Sequence, residues 1–358
     1  MRDWWLPKLT FRCALLLPLA LLFGWAAAAR RALYGSGVLP AKRLPVPVLV
    51  VGNLTVGGSG KTPLVIALAS ALRGYGWRPG IISRGYGRNE ASLSTSLEVT
   101  PESDPASTGD EPLLIARAAR VPVFVDVDRA RAGRALLAAH PEVTIIISDD
   151  GLQHYALTRD IEIAVFDERG AGNGCLLPAG PLREPLSRAT GLTALVVNDS
   201  GGESAKSGLY QRFPAMHRMK LVAQPCYHLR NRNETSTLAA LAARAPRGRI
   251  AAVAGIGNPA RFFATLRAGG LGDGGVDDGA VGVGHGVGFT EHVFPDHHAY
   301  TRADLAAIDA DILIVTEKDA LKCAVFNDDR LWVLPVTAQL DGTLIELILE
   351  KLRGRQAA

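Results

Sequence analysis

The stretch from Val46 to Gly76 constrains this chain more than any other. It reads VPVLVVG, then NLTVGGSG, then KTPLVIALASALRGYG. A continuous apolar run ending in glycine predicts a strand buried on both faces, and the last stretch keeps a helical period until Gly74 or Gly76. Strand, glycine-rich turn and helix in that order form the context of a phosphate-binding loop. Gly57, Gly58 and Gly60 let the amides of Thr55, Val56, Gly57, Gly58, Ser59, Gly60, Lys61 and Thr62 close around phosphate oxygens. The helix start adds partial positive charge, Lys61 reaches the outer phosphates, and the Thr62 hydroxyl is placed to ligate Mg²⁺. One position departs from the usual pattern: Thr55 stands five residues before Gly60, where glycine is customary. The blander reading, a flexible turn at GGSGK, has the clear strand before it and helix after it against it.

The same rhythm continues. PGIISRG, VPVFVD, VTIIIS, IEIAVFD and TALVVN alternate with helical stretches such as EPLLIARAAR and DRARAGRALLAAH. This predicts an α/β fold, a phosphate-loop NTPase-like, doubly wound and mainly parallel sheet covered on both faces. Ligands of such sheets gather beyond the carboxyl ends of the strands. VTIIIS ends in Asp149 and Asp150, which are read as carboxylates for Mg²⁺ with Asp149 the first choice; a solvated turn is the alternative. RIAAVAG, PARFFATLRA, DILIVTEKD and LWVLPV predict a second, smaller α/β domain after a link near Asp199 to Lys206. The expected division is 1–35, 36–205 and 206–358. Gly269 to Gly288 has no apolar face to bury and is predicted to be a loop, either a lid or an idle insertion.

Charge and hydropathy set the first 35 residues apart. The whole chain carries 39 basic and 35 acidic residues in 358, a net +4 that does not argue for nucleic-acid binding. Up to Arg43 there are seven basic residues against Asp3 alone, so that segment is +6 and the remainder −2. Between Arg12 and Arg30 run seventeen uncharged residues, CALLLPLALLFGWAAAA, preceded by Trp4 and Trp5. A transmembrane helix, a secretory signal and a buried core helix all compete for this segment. Nucleoside triphosphate is a cytoplasmic resource, which argues against export. Basic residues at both ends favour a helix lying in the cytoplasmic face of a membrane, with its flanking charges on an anionic membrane surface. Deleting the chain before Arg30 is then predicted to weaken vesicle binding much more than nucleotide binding. The four cysteines, Cys13, Cys175, Cys226 and Cys323, have neither zinc nor disulfide spacing.

Eight blocks carry a more specific signal. GNLTVGGSGKTP, SRGYGR, GDEP, DDGLQH, LLPAGPLREP, AGIGNPARFF, FPDHHAY and TEKDALK follow one another from Gly52 to Lys322. In these blocks and in its apolar start the chain resembles the tetraacyldisaccharide 4′-kinases of lipid A biosynthesis, whose loop looks the same at Thr55. The resemblance implies an ATP- and Mg²⁺-dependent phosphotransferase. It would move the γ-phosphate to the 4′-hydroxyl of a tetraacylated glucosamine disaccharide 1-phosphate, giving lipid IVA, at the cytoplasmic face of the inner membrane. No nucleic acid and no obligate protein partner are expected. Two other readings stand beside it, a membrane-associated phosphate-loop ATPase and a nucleotide-regulated membrane-docking module.

By similarity to a family aspartate and histidine near the acceptor hydroxyl, Asp110 in TGDEP and His297 in FPDHH are the candidates for its proton. Sequence leaves open which one takes it, and Asp110 also reads as a helix cap. Arg84 and Arg88 suit a phosphate of nucleotide or acceptor, or a solvated loop. Gln153, His154, Arg183 and Glu184 match family blocks and are assigned to the substrate cleft. Lys318 and Asp319 follow an apolar run and read equally as a strand-end pair or a surface pair. His292, His297 and His298, with Glu291 and Asp296, form the alternative of a transition-metal cluster, ranked lower for want of a helical two-histidine spacing.

Overall fold

The computed structural model describes residues 2–6, 8–89, 94–198, 213, 216–245, 249–273 and 288–356. The expected link near Asp199 to Lys206, the division at 205/206 and most of the Gly269 to Gly288 segment lie outside the described residues. The chain forms two compact units, Met1–Leu221 with Ala338–Ala358, and Val222–Thr337. The first unit therefore extends past the expected division and takes back the C-terminus, because the last helix has an apolar face and the strand before it joins the first sheet.

The first unit is a nine-stranded sheet in the order β16-β8-β7-β6-β1-β5-β2-β4-β3. Its strands are β1 (Val48–Gly52), β2 (Pro79–Ser83), β3 (Leu97–Glu98), β4 (Val123–Val125), β5 (Ile145–Ser148), β6 (Ile161–Asp167), β7 (Ala194–Asn198), β8 (His217–Ala223) and β16 (Val336–Leu340). From β8 to β4 every pairing is parallel, the two-residue β3 runs against its neighbour at one end, and at the other β16 lies antiparallel to β8, as the bonds from Gln224 N to Pro335 O and from Asp341 N to Arg218 O show. The uninterrupted apolar runs of the sequence become strands buried along their whole length, as in β1, β2, β5 and β7. Leu54, Ile82, Leu136, Ile146 and Phe166 anchor the core on one face.

At the start, a five-residue helix, α1 (Phe11–Leu15), and a 19-residue helix, α2 (Leu17–Gly35), replace the single helix expected there. Leu16 ends the first and Pro18 sits in the opening turn of the second, where its missing N–H costs nothing. Their side chains Phe11, Leu15, Leu19, Leu21, Leu22 and Trp25 are exposed. Among the described residues no helix is long and apolar enough to cross a membrane. The sheet's helices are α3 (Lys61–Gly74), α4 (Pro105–Thr108), α5 (Asp110–Ala119), α6 (Arg129–Ala139) and the C-terminal α11 (Gly342–Gln356). Leu64, Val65, Leu68, Ala69 and Leu72 make the buried stripe of α3, the i, i+4, i+8 face that the sequence carries.

The second unit is a seven-stranded sheet ordered β10-β9-β15-β14-β11-β13-β12. It comprises β9 (Cys226–His228), β10 (Asn231–Ser236), β11 (Ile250–Ala254), β12 (Gly272–Asp273), β13 (Gly288–Val293), β14 (Ile312–Thr316) and β15 (Leu331–Leu334), with α7 (Leu238–Arg244), α8 (Pro259–Ala268), α9 (Arg302–Ala306) and α10 (Glu317–Cys323). The strands β8, β9 and β10 had no apolar run to announce them: β10 is exposed in five of its six residues and pairs only at the sheet edge.

Candidate active site

Because β1, β2, β5, β6 and β7 are parallel, their carboxyl ends open on one edge of the first unit, and most of the candidate residues collect there. The glycine loop leaves β1 and enters α3 with Gly57 and Gly60 at φ 94° and 93°, backbone that favours glycine. At Gly60 a side chain would also collide with the Asn198 amide. Asn53 Nδ2 donates to Gly57 O at 3.2 Å, and Asn198 Nδ2, from the end of β7, donates to Ser59 O at 3.1 Å.

Thr55 has a structural explanation. Residues 181–183 of LLPAGPLREP run alongside the loop: Val56 N donates to Pro181 O at 2.8 Å and Arg183 N to Leu54 O at 2.7 Å. Thr55 bridges Leu182 in antiparallel sense and is 3% exposed. A residue held in extended pairing needs no glycine, and a β-branched side chain suits it.

The charges of the site are interlocked. Lys61 Nζ lies 3.4 Å from Asp150 Oδ1, and Arg183 Nη1 lies 3.2 Å from both Asp150 oxygens. Burial alone would push the Asp150 carboxyl up, but the Lys61 and Arg183 cations hold it at about 2. Its neighbour behaves oppositely. Asp149 is 1% exposed, and burial, with the charges of Glu111 and Asp150, pushes its carboxyl up to about 7 against the pull of Lys61 and a hydrogen bond from Ser83. Asp149 Oδ2 accepts that bond at 3.1 Å, and Oδ1 is buried with no hydrogen-bond partner among the described residues. An orphaned carboxylate oxygen beside a phosphate loop fits a hard cation, which favours oxygen donors and commonly keeps only one or two protein carboxylates. Among the described residues no group of three or more His, Cys, Asp or Glu side chains is gathered to hold a metal ion.

Gln153 ties the wall together, its Nε2 donating to Asn53 O at 3.2 Å while its Oε1 accepts from Arg183 at 3.4 Å. Glu184 is buried, accepts from Tyr155 Oη at 2.8 Å, and keeps Oε2 without a hydrogen bond among the described residues, 3.6 Å from Arg188 Nε. His154 is held neutral, its imidazole lowered to about 4 by burial and then by the Arg129 charge. Arg84 is exposed. Arg88 instead lies buried beneath its own loop, donating to Val125 O at 3.4 Å, so its placement is that of a loop support.

Asp110 is the first residue of α5, and the helix cap is Gly109 with φ 90°, so the capping alternative for Asp110 is corrected. A side chain at Gly109 would press on Tyr86 O, 2.7 Å from the Cβ position, and glycine there lets the SRGYGR loop lie against the head of α5. Glu111, the next residue, is among the charges felt by Asp149.

His297 belongs to the second unit and is built there by a separate set of contacts. Asp319, with no exposed surface, accepts from Gly255 N at 3.1 Å and from Thr316 Oγ1 at 2.7 Å, fixing the start of α10 to the end of β11. That helix start presents Lys318 Nζ 3.2 Å from His297 Nε2 and 3.4 Å from Asp296 Oδ1. His298 pairs instead with Asp304 at 3.2 Å, and His292 with Thr290 at 3.2 Å, so the three histidines of the metal alternative have different partners. Among the described residues four non-glycine residues have positive φ, and two of them are Asp150 at 46° and His297 at 61°. Such strain concentrates at functional positions.

Some contributors were not singled out from sequence. Arg129 is 4% exposed, and its Nη2 donates to Asp149 O at 3.3 Å and Asp150 O at 2.9 Å, clamping the backbone of the pair; burial lowers its guanidinium. A signal existed, since a basic residue directly after the Asp128 cap opposes the helix dipole and calls for a local reason. Asn198, polar at the end of the apolar run ALVVN, was a similar signal.

A family model described as LpxK, tetraacyldisaccharide-1-P 4′-kinase, matches residues 12–353. The tetraacyldisaccharide 4′-kinase of Janthinobacterium sp. (strain Marseille) is 49% identical over 352 residues, covering 96% of this chain and 93% of that protein. That of Dechloromonas aromatica (strain RCB) is 48% identical over 344 residues, covering 96% and 94%. A crystal structure described as an "apo" form of LpxK from Aquifex aeolicus in complex with ATP is 29% identical with a TM-score of 0.73, covering 96% of this chain and all of that one.

Proposed function

This chain belongs to the tetraacyldisaccharide-1-P 4′-kinase family, and from that premise we propose how its residues divide the reaction. The protein is a lipid A 4′-kinase with ATP as co-substrate. The observation that carries the residue assignment is the meeting of the glycine loop, Lys61 and the Asp149–Asp150 pair on one sheet edge.

The amides from Thr55 to Thr62 cradle the β- and γ-phosphates, helped by the start of α3. Lys61 exchanges its 3.4 Å contact with Asp150 for the outer phosphate oxygens, and Arg183 keeps Asp150 ionised while it does so. Mg²⁺, bound by Asp149 with Asp150 and the Thr62 hydroxyl beside it, would neutralise charge on the moving phosphoryl oxygens. A bond forms between the acceptor's 4′-oxygen and the γ-phosphorus as the bridge to the β-phosphate breaks. ADP leaves with that electron pair.

The acceptor's proton goes to Asp110 or, in the second unit, to His297. Lys318 Nζ, 3.2 Å from His297 Nε2, helps to fix the position of that imidazole. Arg84, Gln153, His154 and Glu184 line the acceptor side, and Arg88 supports the loop that carries Arg84. The exposed apolar side chains of α1 and α2, with the flanking Arg12, Arg30 and Arg31, seat the enzyme on the anionic cytoplasmic face of the inner membrane, where its acylated acceptor lies.

Incubation with γ-labelled ATP and the tetraacylated acceptor tests the reading: label on the 4′-oxygen supports it, and label recovered only as inorganic phosphate, at a rate indifferent to acceptor, supports an ATPase instead. Asp110→Ala is expected to lower turnover by about two orders of magnitude, the scale of a lost proton acceptor, with nucleotide affinity nearly intact. A rate loss under about threefold rejects the role.

A further inference from the structure

The first residues of the chain reach the nucleotide loop. Arg169, two residues beyond the end of β6, donates from Nε to Asp167 Oδ2 at 2.9 Å and from Nη2 to the same oxygen at 2.5 Å. Asp167 is 4% exposed, so this pairing pins the guanidinium in one plane. One face of that plane is covered by the Trp5 ring, whose centroid lies 4.0 Å from Arg169 Cζ. The guanidinium also flanks the loop. A Cβ built on Gly57 would sit 3.4 Å from Arg169 Nη2 and 4.0 Å from Trp5 Cζ2.

Trp5 is itself held from behind. Asn173 N donates to Trp4 O at 2.8 Å, and any side chain at Gly172 would collide with that carbonyl. Further along, α2 packs so closely on this segment that a Cβ at Gly24 would lie 2.7 Å from Leu176 Cδ1. The turn containing Trp4 and Trp5 is therefore seated on residues 172–173, directly after Arg169, and leads into the apolar helices.

We propose that Trp5 is a positioning residue for the nucleotide loop: it stacks on Arg169 and holds that guanidinium as a buttress against Gly57, whose left-handed turn shapes the loop. This rests on the reading of residues 55–62 as the nucleotide site. The net charge of the Arg169–Asp167 pair is close to zero, so the buttress acts through shape more than through long-range attraction to phosphate. The N-terminal segment then serves two surfaces at once, the bilayer through α1 and α2 and the nucleotide through Trp5. Deleting the chain before Arg30 consequently weakens nucleotide binding as well as vesicle binding, in contrast to the expectation from hydropathy alone.

The test uses the full chain in mixed micelles, with KM for ATP, KM for acceptor and kcat measured for wild type, Trp5→Ala, Trp5→Phe and Lys61→Ala, and binding of a fluorescent ATP analogue measured alongside. Loss of a stacked cation pair of this kind predicts KM for ATP raised about fivefold in Trp5→Ala, with kcat and acceptor KM changed less than about twofold, and Trp5→Phe close to wild type. An unchanged KM for ATP in Trp5→Ala, an equal rise in both KM values, or a Trp5→Phe variant as impaired as Trp5→Ala overturns the proposal. If Lys61→Ala binds the analogue as tightly as wild type, the underlying reading of the loop fails instead. If Lys61→Ala loses binding while Trp5→Ala does not, only the buttress fails.

Discussion

Lys61→Ala is expected to lower transfer of labelled phosphate to the disaccharide by about three orders of magnitude, some 4 kcal/mol of transition-state stabilisation. Two effects combine. The variant lacks the cation that meets the developing charge on the outer phosphates. It also removes the charge that, with Arg183, keeps Asp150 ionised and pulls the Asp149 carboxyl down. The second effect predicts that Lys61→Ala needs a higher pH to bind Mg²⁺, because its Asp149 holds a proton longer. A transfer rate within about tenfold of wild type would remove the loop from the mechanism.

Asp149→Asn is expected to separate activity from stability. Turnover falls by about two to three orders of magnitude, because a carboxylate aimed at a phosphate-bound cation is replaced by a neutral amide. Stability moves the other way above neutral pH. The Asp149 carboxyl sits at about 7 in the folded chain, against roughly 3.9 for an unfolded one. A raised carboxylate means that the folded state holds a proton the unfolded state has released. The group's contribution to stability is complete below roughly pH 4 and is lost as pH rises through about 7. Asparagine mimics the protonated form at every pH and still accepts from Ser83. Thermal melting without Mg²⁺ or nucleotide should find the variant more stable than wild type at about pH 8, by a margin that narrows steadily as pH falls and closes near about pH 4. A variant less stable at pH 8 would show that the ionised carboxylate is compensated by partners other than those described.

Some of the site was legible in the chain because the information is local. The run VLVVG, the positive-φ glycines 57 and 60 and the apolar stripe of α3 need only neighbouring residues to specify strand, loop and helix. Asp149 was legible because an apolar run ending in carboxylates is uncommon unless something polar waits at the sheet edge. Thr55 was not explicable from its neighbours: it is tolerated because residues 181–183, more than a hundred positions away, pair with the loop. The roles of Arg88 and Arg129 were hidden for a related reason. An arginine in a sequence reads as a surface charge, and only the fold shows that these two are buried against carbonyls of β4 and of the Asp149–Asp150 pair.

By itself the sequence determined the alternation of strands and helices, the loop's place between them and the family to which its ordered blocks point. Those properties depend on side-chain period and on short-range backbone freedom. The tertiary structure decided which of the two adjacent aspartates is charged, since ionisation depends on burial and on cations brought from Lys61 and Arg183. It also decided that Trp5 stands over Arg169 beside Gly57. Contacts between distant segments form only when the sheet has ordered its strands, and no local pattern encodes the order in which those strands lie.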